Sequence, residues 1–271
     1  MPDIVIHGIA AALYVALAWH FWRTRWRRPE LRKGLAGWER AAILLPMALH
    51  GWLLYDGTFA RELRFGFAQA LSVMMLLGVA LYWIESLFYS LEGMQPLVLS
   101  LAAAAVPLPA LFPGLLSSGT YAHATEFKLH LALAMIAYSL FVIALLHAML
   151  MAFLERRLHH RGTGVFANLP PLLTLEQLLF RVISAAFVFL TLTLLTGIAF
   201  SETVFGRALR ADHKTVFAVL SWLTFGLLLA GRLLYGWRGR TAVRWTLSGF
   251  VMLLLAYVGS RFVLEVLLHR A

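Results

Sequence analysis

Apolar residues fill this chain in long runs, and short polar stretches break them up. Eight runs stand out, near residues 4–22, 40–56, 66–84, 95–112, 129–153, 179–200, 214–235 and 244–266. Each approaches the roughly 20 apolar residues that a helix needs to cross a bilayer. Within the runs the apolar residues are continuous and do not alternate, which argues against a transmembrane β-barrel. The pattern predicts an all-α, polytopic membrane protein of about eight transmembrane helices, a single integral membrane domain over residues 1–271. No internal repeat and no separable soluble domain is visible.

The first run, "MPDIVIHGIAAALYVALAWHFW", has the apolar length of a signal peptide but neither its basic start nor its small-residue cleavage site. It reads as a retained span. Positive charge follows it in Arg23, Arg25, Arg27, Arg28, Arg32 and Lys33. A second basic stretch, Arg156, Arg157 and Arg161 with His159 and His160, follows the fifth run, and Arg238 and Arg240 follow the seventh. All three lie on one side if the spans alternate. The opposite stretches "DGTFARELR", "SSGTYAHATEFK" and "SETVFGRALRADHK" mix both signs. The positive-inside rule then puts the basic loops in the cytoplasm and both termini on the outer, periplasmic side. One turn departs from it: "ESLFYSLEGMQP" should be cytoplasmic yet carries neither Lys nor Arg.

Composition narrows the class. Of 271 residues, 61% are hydrophobic and 13% charged, too little charge to clothe a soluble domain of this size. The net charge of +10 reads as cytoplasmic loops meeting anionic lipid headgroups, not as a nucleic-acid surface. No cysteine is present, which removes disulfides, thiolate metal sites and thiol redox chemistry.

Two local features qualify the span pattern. The fourth run contains "AAAAVPLPALFPG", whose three prolines each remove a helix donor. It is either a broken helix lining a cavity or a helix that ends near Val106 with the prolines in a loop. Further on, Thr174 suits a helix N-cap, with Glu176 and Gln177 in the first turn. In "GWRGR" the plain reading is interfacial: Trp237 in the aromatic belt, Arg238 and Arg240 at the lipid heads, and glycines allowing a tight turn.

Ten histidines are the chain's main chemical resource, because neutral imidazole binds haem iron and other transition metals well. His159, His160 and His269 fall in polar segments, His7 and His123 near the outer surface, and His20 among tryptophans at the inner interface. His50 and His147 lie inside spans, where an ionisable residue is a functional hypothesis by default. The bland alternative is a histidine hydrogen-bonded to a neighbouring helix. His130 and His213 open the fifth and seventh spans at one depth, and would form a bis-imidazole haem or metal site if those spans are neighbours. Signatures of hydrolases, zinc proteases, P-loops and dinucleotide folds are absent, so the chain is not read as an enzyme. Span acids are few: Asp56 and Glu85 stand at span ends and Glu265 near the C-terminus. Ion-coupled transport usually places acids or broken helices near the midplane. Only the proline-rich run favours a small-molecule transporter.

An ordered series of segments carries a family resemblance: "HLALAMIAYSLF" (130–141), "LPPLLTLEQLLFRVI" (169–183), "LTLTLLTGIAF" (190–200), "HKTVFAVLSWLTFGLLLAGR" (213–232), and "GWRGR" followed by "GFVMLLLAYVGSRFV". The chain resembles the cytochrome c assembly superfamily of CcsA- and HemX-like membrane proteins, and within it most the YpjD-type inner-membrane branch. The likeness is strongest over residues 130–263; the first half matches through its span pattern and "ALHGWLL" around His50. The resemblance implies a multi-pass protein of the bacterial inner membrane that handles haem, with haem b as the implied ligand and a membrane or periplasmic protein as partner. It carries His50 and His130 over as ligand candidates, because His130 matches an external histidine of the CcsA branch and His50 one in an early span. His213 is a candidate by position only, standing where the CcsA pattern has proline.

That branch also has a tryptophan-rich external segment that presents haem for attachment to apocytochrome. Here "FGRALRADHKTV" keeps the frame at Gly206, Asp212, Lys214 and Thr215, while Arg207, Ala208 and Leu209 replace the aromatic platform. Ala230 stands where the pattern has a span histidine. HemX-like relatives point to a regulatory or accessory role in haem biosynthesis, and YpjD-like chains to a CorC-type metal-ion transport partner. These are the alternatives to direct haem handling.

Overall fold

A computed structural model describes residues 2–27, 35–58, 64–114, 124–161, 171–205 and 212–268. The helices among them are α1 (Pro2–Phe21), α2 (Gly37–Thr58), α3 (Phe67–Phe88), α4 (Met94–Ala105), α5 (Leu108–Leu111), α6 (Thr125–Arg161), α7 (Leu172–Phe205), α8 (His213–Tyr235) and α9 (Gly239–Leu254). A wider π-type turn, Trp22–Trp26, prolongs α1, and α9 continues through two more, Leu255–Gly259 and Val263–Leu267. The fold is all-helical, as the continuous apolar runs predict. Seven helical passages among the described residues are long and apolar enough to cross a membrane. The eighth, α2, has 22 residues, but Glu39, Arg40, His50 and Asp56 dilute its apolar run.

α6 is the axis of the bundle. It packs most extensively on α7 and also touches α3, α4 and α9. Its Phe141, Ile143, Leu146 and Leu150 are fully buried, in one core with Tyr14 and Phe21 of α1, Met74 and Tyr82 of α3, Leu99 of α4 and Phe225 of α8. Large apolar side chains also cover the outside, including Leu45, Phe88, Leu195 and Leu233. A soluble protein would hide them, but hydrocarbon is their natural solvent.

Because the chain runs back and forth, the helix ends form two groups. One, the basic end, gathers Arg25, Glu39, Arg40, Glu155, Glu176, Arg181, Arg238 and Arg240, tied to one another, to the Ser86 carbonyl or to the Tyr89 hydroxyl. At the opposite end the Glu265 carboxylate meets Gly66, Gln69 Nε2 donates to the Phe112 carbonyl at 3.1 Å, and His130 meets Thr196.

The proline-rich run resolves into two pieces. α4 stops at Ala105, Val106 and Pro107 turn, and α5 adds a single helical turn. Pro107 brings no amide donor, so α4 does not continue through it, while Pro109 falls in the first turn of α5, where no donor is needed. Thr174 is not a cap. α7 already begins at Leu172, and the Thr174 amide donates to the Pro171 carbonyl at 2.9 Å, inside the first turn. Pro171, immediately before that helix start, takes the boundary place expected of Thr174. By contrast, Asp212 is a true N-cap for α8: its Oδ1 accepts from the Thr215 amide at 2.9 Å and the Thr215 hydroxyl at 3.1 Å.

Burial acts to raise the Asp212 pKa, but the Thr215 hydrogen bonds and the charges of Lys214 and His213 outweigh it and hold the carboxyl below its usual value. A depressed pKa means the cap stabilises fully above the ordinary aspartate value of about 4 and fades as pH falls through the lower folded value. Asp212→Ala is expected to cost about 1 kcal/mol at neutral pH. The difference from the parent should vanish in strong acid, which thermal melts at several pH values in detergent would read. A cost independent of pH would exclude the carboxylate cap.

Candidate functional site

His130 sits one turn into α6, half-buried against α7. Its Nδ1 lies 3.0 Å from Thr196 Oγ1. Thr196 has one hydroxyl proton and directs it to backbone carbonyls, Leu192 at 2.8 Å and Thr193 at 3.0 Å. With the proton on either carbonyl, the threonine oxygen accepts from His130 and Nδ1 is the protonated nitrogen. In that tautomer Nε2 keeps its lone pair, and the ring's other hydrogen bond is with the Thr193 backbone. An Nδ1–H held by an oxygen while Nε2 stays unprotonated is the arrangement of a metal-ligating histidine with its outer-shell support. Gly197 makes room for the ring: a Cβ there would approach Cε1 to 3.3 Å.

His50 is arranged differently. It is buried in α2, with Nε2 2.8 Å from Ser72 Oγ of α3 and Nδ1 3.5 Å from the Tyr14 hydroxyl of α1. Both ring nitrogens are engaged, the second weakly at that length. The Tyr14 ring also meets the imidazole edge-on, centroids 5.9 Å apart. His50 thus joins three helices in one polar chain. To ligate a metal it would have to give up Ser72 at Nε2 or Tyr14 at Nδ1.

His213 is exposed at the first residue of α8, beside the Asp212 cap. No recorded contact joins His50, His130 and His213, and no group of three or more His, Cys, Asp or Glu suited to a metal ion occurs among the described residues. His147 is fully buried in α6, where its Nδ1 donates to the Ile143 carbonyl at 2.9 Å. His20 pairs with Glu39 at 2.9 Å and meets Trp38 edge-on. His7 is buried within the protein. The loop with Arg207, Ala208 and Leu209, together with His123 and His269, lies outside the described residues.

The "GWRGR" turn joins helices. Gly236 and Gly239 take positive φ, 65° and 53°, which only glycine adopts cheaply. The turn folds Trp237 back over Gly231, where a side chain would strike the indole, and against Trp245. Arg240 Nε donates to Glu155 of α6 at 2.9 Å, while Glu176 of α7 takes Arg232 at 2.7 Å and lies 3.7 Å from Arg238. The arginines that the sequence assigns to lipid heads are thus also bonded within the chain.

The family described as cytochrome C assembly protein matches residues 38–268. The chain belongs to that family. It is 28% identical over 251 residues to the inner membrane protein YpjD of Escherichia coli strain K12, covering 88% of this chain and 92% of YpjD. A shorter likeness, 35% over 177 residues, links it to an uncharacterized 28.8 kDa protein of Azospirillum brasilense, covering 59% of this chain and 65% of that protein. It is also 36% identical over 88 residues to the cytochrome c biogenesis protein CcsA of Prochlorococcus marinus strain MIT 9515, which covers 32% of this chain and 28% of CcsA. No solved structure matches the chain significantly. This cytochrome c assembly family member is a multi-pass protein of the inner membrane.

Sequence reading named His130 but missed the threonines that orient it. Thr193 and Thr196 lie three residues apart, on one face of a helix, and that spacing next to Gly197 was the available signal. It also set Glu85 aside as a span-end acid, whereas Glu85 approaches His147 to 3.6 Å. A pairing between residues 62 positions apart leaves no periodic trace.

Proposed function

We propose that this chain handles haem b as cargo in the inner membrane, in a role connected with cytochrome c assembly, with its basic end in the cytoplasm. The single observation that supports this best is His130: a neutral imidazole whose tautomer is set by Thr196 and whose Nε2 is unprotonated. One axial position on haem iron fits that nitrogen. His50 is a reserve ligand reached by breaking its bond to Ser72 or to Tyr14, and His213 is a solvent-side one. The protein does not attach haem to apocytochrome through a tryptophan platform, since Arg207, Ala208 and Leu209 stand in that place. Its part is then to hold or pass haem, with attachment left to another protein.

Purified from haem-replete cells, the protein should show a Soret band. His130→Ala should lose most of it, and Thr196→Val, which removes the orienting oxygen, should lose roughly 10- to 100-fold in haem affinity. His213→Ala should change little. A protein without a Soret band, or one whose band survives His130→Ala unchanged, defeats the proposal.

A further inference from the structure

Glu85 of α3 and His147 of α6 face each other inside the bundle. Glu85 Oε2 lies 3.6 Å from His147 Nε2, and neither atom has a hydrogen-bond partner or contact with solvent. The state of the imidazole follows from its other side. Nδ1 donates to the Ile143 carbonyl, an atom that only accepts, so Nδ1 carries the ring proton. Nε2 then presents a lone pair. A carboxylate oxygen presents lone pairs too. Two acceptors facing each other in a dry, apolar setting repel and leave a charge unsatisfied, unless something positive lies between them.

We propose that Glu85 and His147 form a proton-binding site within the membrane. One proton resides on Glu85 and is donated to Nε2 of His147. The pair is then neutral, both facing atoms are satisfied, and the separation closes to a hydrogen bond. The Glu85 side chain keeps 16% of its surface open and His147 none, so the proton enters and leaves through the glutamate.

Surrounding charges do not supply the missing donor. On α2, Arg40 Nη2 donates to the Ser86 carbonyl, and on α7 Arg181 Nη1 donates to the Tyr89 hydroxyl. Glu176 of α7 is held by Arg232 of α8, Glu155 of α6 by Arg240 of α9, and Glu39 of α2 by Arg25. The buried phenols among the described residues are Tyr14 of α1, Tyr82 of α3 and Tyr138 of α6: Tyr14 meets His50, Tyr138 donates to the Leu253 carbonyl, and Tyr82 bonds to neither member of the pair. No described side chain other than His147 bonds to Glu85. The site is independent of haem and stands or falls apart from the haem proposal.

Infrared spectra of the purified full-length protein at neutral pH test it. The unsubstituted protein should show the carbonyl stretch of a buried, hydrogen-bonded carboxylic acid, shifted down in heavy water. Glu85→Gln, which keeps size and shape, should remove that band. His147→Phe should move it to the higher frequency of a free acid. Nitrogen NMR with labelled histidine, assigned by His147→Gln, should show Nδ1 protonated and Nε2 accepting. The proposal is overturned if the unsubstituted protein lacks the acid band at neutral pH, if the band survives Glu85→Gln, or if Nε2 of His147 carries the fixed proton. It is equally overturned if the acid band appears only after chelation of a bound metal, for then a cation and not a proton occupies the site.

Discussion

Glu39→Ala is expected to destabilise the protein by about 3–5 kcal/mol, the cost of breaking a buried ion pair by removing one partner. Glu39 is 1% exposed and accepts three hydrogen bonds at once. Arg25 Nη2 donates to Oε2 at 2.8 Å, the Ala36 amide to the same oxygen at 2.8 Å, and His20 Nε2 to Oε1 at 2.9 Å. Arg25 is itself 2% exposed, and the alanine variant would deprive it of its carboxylate inside the protein. The surface-facing fate suggested by its place in a basic stretch does not apply. Water cannot replace the carboxylate at such burial, so the guanidinium must lose the Oε2 bond inside the protein or pull the end of α1 away from α2. Glu39→Gln preserves the shape and one good acceptor, and should cost clearly less. Yield of monodisperse protein and thermal unfolding in detergent would measure both. An alanine variant melting like the parent would show that the hub contributes nothing.

Gly249→Leu should rank next. Gly249 is buried in α9 at the contact with α8, and even a Cβ there would come within 2.8 Å of the Phe225 ring. Phe225 has no room to retreat, because it is fully buried and stacks on Phe141 of α6 with ring centroids 3.9 Å apart. The Gly249 carbonyl also accepts from the Ser221 hydroxyl at 2.9 Å, a bond that needs the two backbones close together. Small residues at such crossings matter more in lipid than in water, since hydrocarbon offers no hydrophobic drive and packing itself must hold the helices. Overpacking typically costs about 1–3 kcal/mol, and a leucine against an immobile ring belongs at or above the top of that range. The second substitution Phe225→Ala should recover part of the loss by returning volume. Thermal melts of the single and double variants test this. If the double variant is no better than the sum of the two single ones, the clash with Phe225 is not the cause.

How much of the molecule the sequence reveals differs from place to place. Spans are legible because the bilayer imposes a length and a composition on each of them, and α3, α6, α7 and α8 match their apolar runs. Helix ends are less so: Thr174 has the chemistry of a cap, yet Pro171 ends the loop first. Histidine roles are legible only as alternatives. His50 meets the bland one, bonded to Ser72 of the neighbouring helix, whereas His130 keeps Nε2 unprotonated. Nothing in the local sequence separates these two outcomes, since each ring is oriented by residues on another helix.

By itself, the sequence determined that this is a helical, multi-pass membrane protein without thiol chemistry, and its ordered motifs determined the family. Both follow from local facts, apolar length and residue order along the chain. The tertiary structure alone decided that Glu39 holds Arg25 and His20, that Thr196 sets the tautomer of His130, and that Glu85 faces His147. The physical reason is that lipid cannot solvate a polar group. Each one must find its partner inside the protein, and which helix brings that partner is a property of packing that no stretch of sequence carries.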